Sequence, residues 1–388
     1  MSDSKKKVPK RRFGEFSNAN DWEQCELGEV VQITMGQSPN GTNYTDNPND
    51  YILVQGNADM KNGQVVPRVW TKQITKTAAI GDIILSVRAP VGDVGKTNYN
   101  VVLGRGVAGI IGDEFIYQLL FKMRLENYWA KYSTGSTFES INSNDLKEAK
   151  VFVPKELEKK EIGMFFKQLD NTIALHQRKL EKIKALKTAY LSELFPAEGE
   201  SKPKRRFAGF TDDWEQRKLG EVVQITMGQS PNGTNYTENP NDYILVQGNV
   251  DMKNGQVVPR IWTKQITKTA AIGDIILSVR APVGDVGKTN YNVVLGRGVA
   301  GIKGDEFIYQ VLFKMRLENY WAKYSTGSTF ESINSNDLKE AKVFVPKELE
   351  KKEIGIFFKQ LDNTITLHQR KLKKLQNIKK AYLNEMFI

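Results

Sequence analysis

The chain has 388 residues, 40% of them hydrophobic and 26% charged, an ordinary balance for a folded protein with room for two or three domains. Fifty-six Lys and Arg against 45 Asp and Glu leave a net charge of +11, which favours a polyanionic partner, nucleic acid above all. The single cysteine, Cys25, excludes a disulfide framework and a thiolate metal site. No run approaches about 18 apolar residues and no apolar stretch follows the basic start, so a cytoplasmic protein without a membrane partner is expected.

Residues 1–21 read as a polar, basic arm, with Lys5, Lys6 and Lys7 expected to hold any DNA alike. Within it Lys10-Arg11-Arg12-Phe13 returns as Lys204-Arg205-Arg206-Phe207, so the arm opens each of two repeats rather than serving as a tag. From Leu27 and Leu219 the copies hold a constant offset of 192 residues. About seven positions differ before Leu180, among them Asp46/Glu238, Ala58/Val250 and Ile111/Lys303. A period that long is a whole domain, not a turn of a solenoid. The expected plan is arm 1–21, globular domain 22–154, helix 155–195, linker and second arm 196–213, globular domain 214–346 and helix 347–388.

Inside each copy, β-like runs at 30–33, 51–54, 83–87 and 101–103 alternate with turn chemistry at Ser38-Pro39-Asn40-Gly41, Asn62-Gly63 and Gly92-Asp93. Residues 115–132 place Ile116, Leu119, Leu120, Met123 and Tyr128 roughly on one helical face. The fold class is therefore α+β, with two β-rich mixed globular parts.

Each part feeds a long helix. Pro154 suits its first turn, Glu156, Glu158 and Glu161 sit at the positive end, Lys182, Lys184 and Lys187 lie towards the negative end, and Pro196 stops it. About 40 residues at about 1.5 Å each give a rod of roughly 60 Å, which reads as a spacer. Ile162, Phe166, Leu169, Ile173, His176 and Leu180 form a narrow apolar seam, matched by Ile354, Phe358, Leu361, Ile365, His368 and Leu372. The rods are expected to pair as an antiparallel coiled coil, relating the globular parts by a pseudo-two-fold axis and bringing His176 near His368.

Signatures of chemistry are thin. Gly104-Arg105-Gly106-Val107-Ala108-Gly109 matches GxGxxG, but no helix opens on it and the acid of a dinucleotide site is missing. Gly95-Lys96-Thr97 resembles the end of a phosphate loop, yet Pro90, which has no N–H, stands where glycine is needed. HExxH, a Cys-His pair, G-x-S-x-G and Asn-Pro-Pro-aromatic are all absent, which argues against the alternative of a DNA methyltransferase or nuclease acting without other subunits.

What remains is polar, basic, loop-borne and duplicated: Gln37, Ser38, Asn40, Asn43 and Tyr44 in one loop, Arg88 and Lys96 around a second, Arg105 in a third, Ser136, Thr137 and Asn142 in a fourth. The second copy repeats them as Gln229, Ser230, Asn232, Asn235, Tyr236, Arg280, Lys288, Arg297, Ser328 and Thr329. Gln and Asn read adenine, Arg reads guanine, and Ser, Thr and Lys hold phosphates, so this set is the candidate DNA contact.

Gly135-Ser136-Thr137 with Ile141-Asn142, then Leu146, Val151-Phe152-Val153-Pro154 and the helix to Leu194-Phe195, resemble the end of a target recognition domain and its helix in the specificity subunit of Type I restriction-modification systems. Met35-Gly36-Gln37-Ser38-Pro39 with Tyr44 looks like that family's opening recognition loop, and the resemblance covers nearly the whole chain, twice. It implies a subunit that does no chemistry and binds no cofactor. Each recognition domain would read half of a split site on double-stranded DNA, and the helices would set the gap and dock two modification subunits carrying S-adenosylmethionine. Restriction subunits that use ATP and Mg to translocate DNA would join them. The near-identity of the two recognition domains departs from the family pattern, and two equal readers related by a two-fold axis call for an interrupted palindrome.

Overall fold

Ile83, Ile84 and Leu85 form one continuous apolar run because the strand that carries them, Ile83–Ser86, is covered on both faces. The computed structural model describes residues 7–132, 140–197, 199–324 and 332–388. The expected contacts Ser136, Thr137, Ser328 and Thr329 therefore lie outside the described residues, as do Lys5 and Lys6.

The chain divides into two compact units, residues 1–177 with 371–388, and residues 178–370. Each long helix, Glu156–Glu193 and Glu348–Met386, gives one part to each unit.

In the first unit the run above lies within a six-stranded sheet ordered Gln32–Met35, Val107–Ile111, Ile83–Ser86, Val94–Lys96, Gln64–Val65, Met60–Lys61. Ile84 faces a five-stranded sheet through a core with Val54, Leu103 and Val107. Ile83 and Leu85 point the other way, into a core with Trp22, Phe115, Leu120 and the long helices. A third, two-stranded sheet pairs Glu23–Glu26 antiparallel with Lys150–Val153, tying the start of the head to the segment that enters the first long helix.

Two expected boundaries shift for local reasons. Instead of a strand at 30–33, a helical turn, Leu27–Val30, precedes the strand Gln32–Met35, because the Glu26 N–H donates to the Glu29 carboxylate at 2.7 Å and Leu27 is fully buried. Instead of one helix over 115–132, Asp113 caps Glu114–Leu125, and Asn127, at φ +54°, turns the chain into the 3-10 segment Tyr128–Tyr132.

Within the first unit the two helix segments run antiparallel. Phe166 and Phe387 lie 5.7 Å apart between ring centroids, and one turn further along the first helix Asp170 meets Lys379, two turns earlier on the second. The second unit repeats this with Phe358 against Phe195 and Asp362 against Lys187.

The seam residues serve more than one partner. Ile162 and Phe166 are buried in the head core with Leu383, Met386 and Phe387, and Ile354 and Phe358 with Leu191, Leu194 and Phe195. Leu180 is buried, whereas Leu169, Ile173, His176, Leu361, Ile365, His368 and Leu372 are half-buried. A 3.5-residue stripe marks burial without saying against what.

The basic tetrapeptide is tied to the long helices. The Arg12 guanidinium makes a two-pronged contact with Glu158 at 2.5 and 2.7 Å, with side chains 8% and 3% exposed. Arg11 pairs with Glu385 at 2.5 Å, and Phe13 packs edge-on to Phe165. Arg205, Arg206 and Phe207 repeat the clamp on Glu193, Glu350 and Phe357. Carboxylates on both long helices give these arginines a partner that a linear reading does not show.

Candidate nucleic-acid interface

Three loops of each head are locked together by backbone contacts that only glycine permits. A Cβ on Gly36 would stand 2.1 Å from the Gly104 carbonyl oxygen, and one on Gly106 would stand 2.1 Å from that of Gln55. The GxGxxG stretch is thus a packing device, since a Cβ on Gly109 would likewise meet Leu103 at 2.8 Å. The loop at 36–45 is joined to the one at 104–107, and that one to the loop at 55–59.

Hydrogen bonds finish the lock. The Gln37 N–H donates to the Leu103 carbonyl at 2.8 Å, and the Gln37 carbonyl accepts from the Thr75 hydroxyl at 2.6 Å. The Ser38 hydroxyl accepts from the Arg105 N–H at 3.2 Å. The Asn40 side chain caps the turn Gly41–Asn43 by accepting from Thr42, while the Asn40 N–H and the Asn43 amide both donate to Gln73, at 2.8 and 3.1 Å. The hydrogen bonds of Ser38, Asn40 and Asn43 therefore shape the loop. Gln37 in this loop, Arg105 in the loop at 104–107 and Arg88, just after the strand Ile83–Ser86, have exposed side chains.

In the second head the same construction lines a cavity of about 600 Å³ with Ser230, Tyr236, Gln247, Asn249, Arg280 and Arg297. Four of these were expected from sequence; Gln247 and Asn249 were not, nor their counterparts Gln55 and Asn57. Their signal was available: each pair follows a strand, Tyr51–Val54 or Tyr243–Val246, and flanks a glycine. The Gln55 amide donates to the Tyr44 hydroxyl at 2.9 Å, and Gln247 donates to Tyr236 at 2.8 Å.

Lys96 and Lys288 stand elsewhere. Lys96 lies 2.6 Å from Glu114 and over the Tyr117 ring, committed to packing its strand on the helix Glu114–Leu125; Lys288 pairs with Glu306 at 2.5 Å. Asn142 is a cap, its side chain accepting from the N–H groups of Asn144 and Asp145.

The loops offer base-edge donors and acceptors and guanidinium groups on a rigid frame. Among the described residues no group of His, Cys, Asp and Glu is placed to hold a metal ion. At the junction with the helices burial pushes the Lys379 and Lys187 ammonium groups down and the Tyr117 and Tyr309 phenols up.

Comparison with known proteins gives the same two-fold pattern. The profile of the Type I restriction modification DNA specificity domain matches residues 19–185 and again 211–377. The type I restriction enzyme MjaX specificity subunit of Methanocaldococcus jannaschii is 27% identical over 97% of this chain and 94% of its own. The MjaVIII specificity subunit of that organism is 22% identical over 69% of this chain and 68% of its own. Among solved structures, the type I restriction-modification S subunit from M. genitalium aligns with a TM-score of 0.68 at 15% identity, covering 98% of this chain and 99% of that one. A chain from a structure addressing complex assembly and conformational transition of a type I R-M system aligns at 0.53 and 22% identity, covering 94% and 97%. At these identities the structures establish the fold.

Proposed function

This chain belongs to the Type I restriction-modification DNA specificity family, and from that premise we propose how it works: each head reads one half of a bipartite site on double-stranded DNA. It is the DNA-recognition subunit of such a system. The observation that carries the mechanism is the duplicated loop frame, glycine-locked in both heads and presenting Gln37 and Arg105 or Gln229 and Arg297, with Arg88 or Arg280 exposed on a separate loop. A frame fixed before binding loses little freedom on the DNA, so its side chains discriminate bases at low entropic cost.

Equal heads read equal half-sites. The antiparallel course of the long helices inside each unit favours reading them in inverted order, as an interrupted palindrome. The helices set the gap and dock two modification subunits, which supply S-adenosylmethionine. Restriction subunits bring ATP, Mg and translocation, and the work is done in the cytoplasm. This chain contributes positioning and no bond-making step. Affinity falls with salt, because arginine and lysine contacts to phosphates release counterions.

Sequencing the methylated bases in cells that carry this subunit with its modification subunits tests the reading. Two copies of one short motif in inverted order are expected; two unrelated half-sites overturn the palindrome. Methyl transfer or cleavage by the purified chain alone overturns the non-catalytic role.

A further inference from the structure

We propose that Gln55 and Gln247 are specificity-determining residues, each reading an adenine in its half-site, with Tyr44 and Tyr236 as the residues that position them. The inference rests on the DNA-recognition reading above and adds to it the base and the group that reads it.

The backbone at Gln55 is held from three sides. Its N–H donates at 2.7 Å to the Asp59 carboxylate, which is 5% exposed and also accepts from the Gly56 N–H at 3.3 Å. Its carbonyl oxygen lies against Gly106 and its Cα against Gly104, where a Cβ would stand at 2.1 and 3.1 Å. Asp251, 2% exposed, holds Gln247 at the same 2.7 Å and is itself clamped by Arg260 at 2.8 Å. The base reader is thus fixed at its backbone before any DNA arrives.

The side chain is held as well, yet only in part. One amide hydrogen goes to the tyrosine hydroxyl at 2.9 or 2.8 Å, which leaves the other hydrogen and the carbonyl oxygen without a partner among the described residues. One acceptor beside one donor is the complement of the adenine edge in the major groove, where N6–H₂ donates and N7 accepts. In the second head Gln247 lines the same cavity as Arg280 and Arg297, whose guanidinium groups suit guanine or phosphate. Tyr44 and Tyr236 stay about one-third exposed, so the amide is not sealed off from a ligand.

The test is selection by the full-length chain, assembled with its modification subunits, from duplex DNA randomised across both half-sites. Wild type should select adenine at one position of each half-site. Gln55→Glu with Gln247→Glu keeps the shape and can still be held, because the tyrosine hydroxyl can donate to a carboxylate, but a carboxylate only accepts. The variant should lose adenine and favour cytosine, whose N4 donates, at that position alone, with about 10- to 100-fold weaker binding to the original site. Tyr44→Phe with Tyr236→Phe should blunt the preference for adenine there and leave every other position unchanged.

Unaltered preferences in the Glu variant, a uniform loss on all sequences, or no adenine position in the wild-type motif would each overturn the assignment while leaving the DNA-recognition reading intact. A wild-type assembly that selects no sequence overturns that reading itself, and this inference with it.

Discussion

Lys379 and Asp170 face each other at 2.7 Å from opposite long helices, and Asp170 also accepts from Gln118 of the head helix Glu114–Leu125 at 2.7 Å. Three elements therefore converge on one carboxylate. Lys187, Asp362 and Gln310 repeat the arrangement in the second unit. Each ammonium lies 4.2 Å from a phenylalanine ring centre, Phe121 or Phe313, so the pair is dry on one side and hydrogen-bonded on the other.

Removing one partner should cost more than removing both. Asp170→Leu leaves a buried ammonium without its carboxylate and should lower the stability of that unit by about 3 kcal/mol, whereas Asp170→Leu with Lys379→Met should recover most of the loss. Hydrogen exchange of the amides in Glu114–Leu125 under mild urea reads the effect locally. Equal losses in the single and the double variant would show that the two groups are not coupled.

Gly106→Ala and Gly41→Ala separate packing from flexibility. A Cβ at 106 meets the Gln55 carbonyl at 2.1 Å, while one at 41 meets nothing within 4 Å. The first substitution, with Gly298→Ala, should abolish sequence-selective binding by forcing the loops apart; the second should leave binding within about two-fold of wild type. Fluorescence anisotropy on the methylation-defined site measures both.

The Tyr117 and Tyr309 phenols are held above the ordinary tyrosine pKa of about 10, chiefly by burial and then by the carboxylates of Asp170 and Glu114, or Asp362 and Glu306. A folded-state pKa raised above the unfolded one means that the stability from these groups is complete below about pH 10. It is lost as pH rises further, by up to about 1.4 kcal/mol per pH unit for each tyrosine. Lys187 and Lys379, pushed down by burial against the pull of their aspartates, act in the opposite sense over the same alkaline range. Comparing wild type with Tyr117→Phe plus Tyr309→Phe isolates the phenols, and the variant's urea midpoint should fall less steeply above pH 10.

Arg12 and Arg105 should part company in a salt titration. Arg12→Met with Arg206→Met breaks buried pairs to Glu158 and Glu350 and should cost about 3 kcal/mol per unit, leaving the slope of log K against log salt unchanged. Arg105→Ala with Arg297→Ala should leave stability alone and relax base choice if these arginines read guanine, or lower the slope by about one for each phosphate they had neutralised. A shallower slope in the Arg12 variant would instead place Arg12 at the DNA.

The sequence by itself determined the duplication, the two long helices and the loop-borne character of the site, because repeats, a 3.5-residue apolar stripe and turn residues are local patterns. Only the tertiary structure decided that Lys96, Arg11 and Arg12 face carboxylates, that Asn40 and Asn43 bind Gln73, and that Gln55 packs against the loop at 104–107. Charge and polarity are written in each residue, but the partner that satisfies them is reached through space. Lys96 and Glu114 are 18 residues apart, and Arg11 and Glu385 are 374 apart. The GxGxxG glycines show the same limit: sequence marks where a Cβ is missing, and only the packed chain shows that the space belongs to the Gln55 carbonyl rather than to a phosphate.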